Sequence, residues 1–124
     1  MSTSGSTLTA LNLKGAAMLS RVTPKSPEEC TEMPEVRAGV DAVDAALMEL
    51  LAQRFAYMDA AARIKTDRGA VRDEARKKEV IDNAVARASE LGVPALLVAE
   101  IWDRLVEASI AYEFDHWDEL NADH

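Results

Sequence analysis

The longest helical pattern in this chain of 124 residues is VRAGVDAVDAALMELLAQRFAYMDAAARI, at residues 36–64. Its apolar residues recur at intervals of three and four, which is the spacing of one face of an α-helix. Pro34 and Glu35 suit a first helical turn, and Gly69 lies just beyond the pattern. The pattern therefore predicts a helix that begins near Met33 and ends at residues 66–68, roughly 50 Å long. The apolar stripe consists of Val36, Val40, Val43, Leu47, Leu50, Leu51, Met58, Ala61 and Ile64.

Two shorter helices are predicted after the long one. The second runs from about Arg72 to Leu91 and stops at Gly92, while Pro94 opens a third that continues towards Trp117. The fold class is therefore all-α, with three helices per chain. The expected inner face of the second helix consists of Val80, Ile81, Ala84, Val85 and Ala88, and the apolar stripe of the third consists of Leu97, Ile101, Leu105, Ala108 and Tyr112.

The chain length allows one domain, which we expect at residues 27–124 after a flexible tail at residues 1–26. A helix of 50 Å with an apolar stripe along its length cannot be covered by two shorter helices of the same chain. We therefore expect the protein to self-associate, and symmetric dimers are the commonest form of self-association.

Charge and composition exclude several classes of protein. The net charge of −8 argues against a nucleic-acid partner, and no run approaches the roughly 18 apolar residues that span a bilayer. The single cysteine, Cys30, forms no intrachain disulfide and no Cys/His metal framework, and the N-terminus makes a poor secretory signal. We expect a cytoplasmic protein without a metal site.

Two cationic residues occupy positions of the long helix where the pattern predicts apolar side chains. Arg54 follows Leu50 and Leu51 in the apolar stripe, and Lys65 comes 11 residues later. Eleven residues are close to three helical turns, so both cations project from one side, about 16 Å apart, and could bracket a small dianion. Alternatively, they extend from the rim of the stripe or pair with acids. Arg37 lies about 100° around the helix from Arg54 and points elsewhere, such as towards a partner.

The second helix begins with a polar ridge of Asp73, Arg76 and Lys77 at the start of its inner face. The same residues also fit an ordinary solvated helix start, in which an acidic residue favours the positive end of the helix dipole. Both readings stay open on position alone.

The third helix continues its apolar row from Leu105 with Ser109 and Glu113, at steps of four residues. This places a carboxyl group against apolar neighbours. Such a group is a candidate for donating a proton or a hydrogen bond.

The segments VRAGVDAVDAALMELLAQR at residues 36–54, IK at 64–65, VRDEAR at 71–76 and ASIAYEFDHW at 108–117 resemble the all-helical chorismate mutases. The likeness extends over about residues 33–120. It implies an intertwined homodimer with two active sites, each converting chorismate to prephenate by a [3,3] sigmatropic rearrangement in aromatic amino-acid biosynthesis. The implied enzyme is an isomerase that needs no covalent intermediate and no cofactor.

The resemblance also implies roles for individual residues. Arg54 would bind one substrate carboxylate, Arg37 of the other protomer would bind the second, and Lys65 would donate to the ether oxygen. The other positions carried over are Asp73 and Arg76, which would hold the substrate hydroxyl and a carboxylate, and Ser109, which would lie beside the site.

Two residues depart from the family pattern. Lys77 stands where many members have a glutamate that binds the substrate hydroxyl, so this side chain would either remove one contact or turn aside into solvent. Glu113 stands where many bacterial members have a glutamine facing the ether oxygen, and it would donate there only when protonated.

Two alternatives to the mutase are open. The lead-in KSPEEC at residues 25–30 resembles the related isochorismate-pyruvate lyases of salicylate and siderophore pathways. The second alternative is a helical regulatory dimer without activity, although the presence of Arg37, Arg54, Lys65 and Arg76 together argues against it.

Overall fold

The computed structural model describes residues 24–122, and their secondary structure is helical. The three α-helices are α1 (Met33–Ile64), α2 (Glu74–Leu91) and α3 (Ala95–Leu120). Short 3₁₀ helices at Pro27–Glu29 and Arg68–Ala70 precede α1 and α2. The described part of the chain contains no strand, so the predicted all-α class with a very long first helix is confirmed. Most of the expected tail at residues 1–26 lies outside the described residues.

The chain divides into two units, Met1–Arg54 and Phe55–His124, and α1 contributes to both. In the first unit, one carboxylate organises the entry into α1. Oε1 of Glu35 accepts hydrogen bonds from the backbone N–H of Thr31 at 2.8 Å and of Glu32 at 3.2 Å. The ammonium of Lys25 lies 2.5 Å from the other oxygen, and it is the main reason that the pKa of Glu35 is below its usual value. These contacts explain why α1 begins at Met33, as expected.

Among residues 24–122, the apolar stripe in this unit is largely exposed in the single chain. Its members Val36, Val40, Val43, Leu47 and Leu50 are each between 38% and 51% exposed. By contrast, Ala42 and Ala46, on another side of α1, are buried. The prediction that a lone chain leaves this stripe exposed is confirmed.

In the second unit, α2 and α3 form a helical hairpin. Gly92 ends α2 with φ of 75°, a left-handed conformation that L side chains adopt at a cost. The following residue, Val93, donates its N–H to the carbonyl of Ala88 at 2.8 Å, which completes the helix end. The core of the hairpin contains Val71, Val106 and Ile110, with Val80, Ile81, Phe114 and Trp117 packed against them.

The predicted inner face of α2 is confirmed, whereas most of the predicted apolar stripe of α3 is exposed in the single chain. Leu97, Ile101 and Tyr112 are 40% to 49% exposed. A step of four residues advances about 40° around a helix. The row of residues at four-residue steps that includes Ile101 is therefore exposed at its N-terminal end and becomes buried further along the helix. The helix is apolar on two sides, and α2 covers one of them. The buried residues of α3 are Val98, Val106, Ser109, Ile110 and Glu113.

The helix ends differ slightly from the prediction because side chains cap them. Asp73 is the N-cap of α2 and not part of its first turn, since its backbone is extended and its Oδ1 accepts from the N–H of Arg76 at 3.0 Å. Likewise α1 ends at Ile64, and Asp67 caps the short 3₁₀ helix by accepting from the N–H of Gly69. Among residues 24–122, no helix is both long enough and apolar enough to span a membrane.

Candidate active site

Lys65 and Glu113 form a close ion pair in the second unit. The ammonium Nζ lies 2.7 Å from Oε2 of Glu113, whose side chain is only 5% exposed, whereas that of Lys65 is 29% exposed. A carboxylate this buried is costly unless a cation or a proton accompanies it. Within residues 24–122, Oε2 accepts no hydrogen bond of good geometry, so the contact is ionic and leaves the oxygen incompletely satisfied. The structure thus brings together two of the predicted catalytic residues.

Ser109 lies one turn before Glu113 on the buried side of α3. Its hydroxyl donates to the backbone carbonyl of Leu105 at 2.7 Å. Ser109 thus shares the buried side of α3 with Glu113, and its proton is directed at its own helix. Its place beside a substrate stays a prediction.

A hydrogen bond and an ion pair connect the segment around Lys65 to the end of α3. The indole Nε1 of Trp117 donates to the carbonyl oxygen of Lys65 at 3.0 Å. Three residues later, Arg68 forms a two-pronged ion pair with Asp118 at 2.8 and 3.1 Å, and its guanidinium lies 4.5 Å from the centre of the Phe114 ring. The sequence reasoning missed these contacts, although Trp117 follows Glu113 by four residues and so shares its side of α3.

Lys77 binds α3 and does not turn aside into solvent, which excludes the second of the two alternatives for this side chain. Its ammonium lies 2.6 Å from Glu107 and 3.1 Å from Asp103, and its side chain is 19% exposed. Glu107 also binds Arg72 at 2.8 Å, and Arg72 in turn binds Glu74 at 2.7 Å. Two acidic residues on α3 attract the cation, which the sequence spacing alone could not reveal.

The pKa of Glu107 should make stability depend on pH. Arg72 first, and then Lys77, lower this pKa from 4.5 to about 2. The unfolded chain therefore binds more protons than the folded chain between these values, so stability is lost as the pH falls from 4.5 towards 2. We expect Glu107→Gln to lower the midpoint of urea unfolding at about pH 6. Between about pH 6 and about pH 3, the midpoint should then fall less in this variant than in the unaltered protein.

Glu100 is an exposed carboxyl on the same helix and offers a matched control. Glu100→Gln should reproduce the pH dependence of the unaltered protein. If the midpoint of urea unfolding falls equally between the two pH values in all three proteins, the role given to the Glu107 ion pairs is contradicted.

Asp73 and Arg76 are engaged at the start of α2. Beyond the cap made by Asp73, Nη1 of Arg76 lies 2.7 Å from Oε1 of Glu79, and both side chains of that pair are exposed. These contacts match the ordinary solvated helix start that the sequence left open. Their roles towards a substrate stay predictions.

Arg37 and Arg54 belong to the first unit and lie on α1. Arg37 is exposed near the start of the helix, and Arg54 is half-buried at the last position of the unit. Their binding to substrate carboxylates stays a prediction.

His116 lies between acidic groups in the second unit. Its ring nitrogens are 3.4 Å from Glu119 and 3.7 Å from Asp59. Asp59 also accepts a hydrogen bond from the hydroxyl of Tyr112 at 2.7 Å, which is the main cause of the raised pKa of that tyrosine. Among residues 24–122, no group of three or more His, Cys, Asp or Glu side chains could hold a metal ion.

Comparison with known proteins identifies the family. Residues 36–114, well over half of the chain, match the family model described as chorismate mutase type II. A curated relative, the isochorismate pyruvate lyase of Pseudomonas aeruginosa, is 27% identical over 93 residues, which cover 75% of this chain and 92% of the relative. The matched residues include α2, most of α1 and α3, and the Lys65–Glu113 pair. The chain belongs to the chorismate mutase type II family.

Proposed function

We propose that this protein is a chorismate mutase, an isomerase that converts chorismate to prephenate without a cofactor. The observation that supports this most is the contact of Lys65 with the buried Glu113, within the range that matches the family. In this rearrangement an ether C–O bond breaks while a C–C bond forms, and negative charge develops on the ether oxygen. An ammonium beside that oxygen stabilises the transition state more than the substrate.

We place the substrate, a dicarboxylate, between cations of both protomers. Arg54 binds one carboxylate and the partner's Arg37 binds the other, while Lys65 donates to the ether oxygen. These cations attract a dianion locally despite the net charge of −8. The protein then lowers the barrier by holding the flexible side chain of chorismate over its ring and by keeping donors in place. No general base takes part.

The dimer belongs to this proposal. On α1, the stripe from Val36 to Leu50 is about half exposed in one chain, and α3 adds the exposed Leu97 and Ile101. Apolar surface of this extent is typical of a protein interface. A second copy covers it in our proposal, and the intertwined arrangement brings Arg37 across. We also propose a cytoplasmic location.

Glu113 should make the activity depend on pH. When protonated, it donates to the developing oxyanion, and when ionised it repels that oxygen and holds Lys65 in the ion pair. We expect ionisation of Glu113 to lower kcat by up to about 100-fold, because one oxyanion donor is lost. Glu113→Gln should flatten this profile, since an amide donates at any pH.

Glu119 provides a matched control for this prediction, because it is an exposed carboxyl of the same helix. Glu119→Gln should keep the pH profile of the unaltered protein. A Glu113→Gln variant whose profile is unchanged would refute the role that we give to Glu113.

The second candidate is isochorismate-pyruvate lyase activity in the same pocket. The Pseudomonas aeruginosa relative, named as that lyase, supports it, together with the lead-in at residues 25–30. Incubation with chorismate and isochorismate separately, followed by identification of the products, distinguishes the two. Prephenate from chorismate supports the mutase, whereas pyruvate and salicylate from isochorismate alone support the lyase. Absence of any product would favour a regulatory dimer without activity.

A further inference from the structure

We propose that Trp117 is a positioning residue for Lys65, an inference that rests on the proposed function. The indole N–H donates to the carbonyl oxygen of Lys65 at 3.0 Å, in a part-buried contact. One turn earlier on the same side of α3, Glu113 contacts the ammonium of that lysine at 2.7 Å. One helix thus holds Lys65 at two points, its backbone and its charged end.

The backbone contact matters because α1 ends just before Lys65. The last helical hydrogen bond runs from the N–H of Lys65 to the carbonyl of Ala61, and the next regular structure is the short 3₁₀ helix Arg68–Ala70. A residue at such a junction has no helical partner for its carbonyl. The indole supplies that partner and fixes the position from which the lysine side chain extends.

Arg68 strengthens the same attachment from the other side of the junction. It binds Asp118, the residue after Trp117, with two hydrogen bonds, and its guanidinium lies over the ring of Phe114. The junction is therefore fixed to the last turns of α3 on both sides of Thr66 and Asp67. The closing turns of α3 serve as a rigid support for the catalytic ammonium.

A positioning role makes a specific kinetic prediction. Lys65 acts on charge that develops in the transition state, so a small displacement lowers kcat more than it changes KM. Trp117→Phe keeps an aromatic ring in the core but removes the N–H. We expect a decrease in kcat of about tenfold to a hundredfold with KM changed by less than about twofold.

A double-mutant cycle separates positioning from general damage to the fold. If Trp117 acts through Lys65, then Trp117→Phe should change the remaining rate of a Lys65→Ala protein by less than about twofold. Trp102→Phe is the control, because it removes an indole from the same helix about four turns earlier. It should leave kcat unchanged. An equal decrease from Trp117→Phe in both backgrounds would overturn the proposal.

A measurement that does not depend on activity tests the contact itself. The chain contains two tryptophans, and Trp102→Phe leaves one indole N–H signal in the NMR spectrum. That signal should exchange slowly with solvent, and it should stay protected in Lys65→Ala because the acceptor is a backbone carbonyl. Fast exchange in the unaltered site overturns the proposal. A protected indole in a protein without activity on either substrate would instead refute the proposed function, and the catalytic role of Trp117 with it.

Discussion

Lys65→Ala is expected to lower kcat for chorismate by about 10²–10³-fold, which corresponds to a loss of about 3 kcal/mol or more of transition-state stabilisation. The ammonium is the donor that we place at the ether oxygen, and no other cation of the second unit contacts Glu113 among the described residues. KM should change less than kcat, because the charge that Lys65 stabilises is larger in the transition state than in the substrate. Steady-state kinetics on chorismate measure both constants.

This substitution also leaves Glu113 buried without its cation, so stability has to be measured at the same pH. A Lys65→Ala, Glu113→Gln double variant removes the uncompensated charge and keeps the comparison on folded protein. Lys78→Ala is the matched control, because Lys78 is an exposed lysine of α2 whose ammonium binds Asp82. Full turnover by a folded Lys65→Ala protein would contradict the catalytic assignment.

Leu47→Asp is expected to convert the proposed dimer to monomers and to abolish most of the proposed mutase activity. Leu47 is half exposed in the middle of the α1 stripe, so the proposed interface would bury the new carboxylate without a partner. A monomer lacks Arg37 from the other protomer, so we expect kcat/KM to fall by roughly 100-fold or more. Sedimentation equilibrium gives the mass, and kinetics on the same sample give the activity.

Ala45→Asp is the control for the interface, because Ala45 is also exposed but lies about 160° around the helix from Leu47. It introduces the same charge into α1 and should leave both mass and activity unchanged. If Leu47→Asp stays dimeric and fully active, the stripe is not the interface.

The helices were predictable from the sequence wherever one periodic signal dominated. The spacing of apolar residues predicted the start of α1 at Met33 and its exposed stripe, because this segment shows no second periodic pattern. The face of α3 was harder, since apolar residues cover two of its sides and only one meets α2. The start of α2 shifted because Asp73 prefers to cap a helix rather than to enter it.

The candidate site was predictable where a charge interrupts an apolar row. Lys65 and Glu113 stood out for that reason, and the structure places them in contact. The ion-pair partners of Lys77 were not predictable. Its long side chain reaches Asp103 and Glu107, which lie about 30 residues away in sequence. Trp117 was missed because its indole looked like the end of an apolar stripe, and its hydrogen bond goes to a backbone atom that carries no sequence signal.

In our proposal, the purified protein isomerises chorismate at the site of Lys65 and Glu113. The most direct test follows the loss of chorismate by ultraviolet absorbance and identifies the product in the same reaction. We expect prephenate as the product, formed in proportion to enzyme concentration and far faster than without protein. Chorismate that disappears no faster than in buffer, or that yields a product other than prephenate, would contradict it.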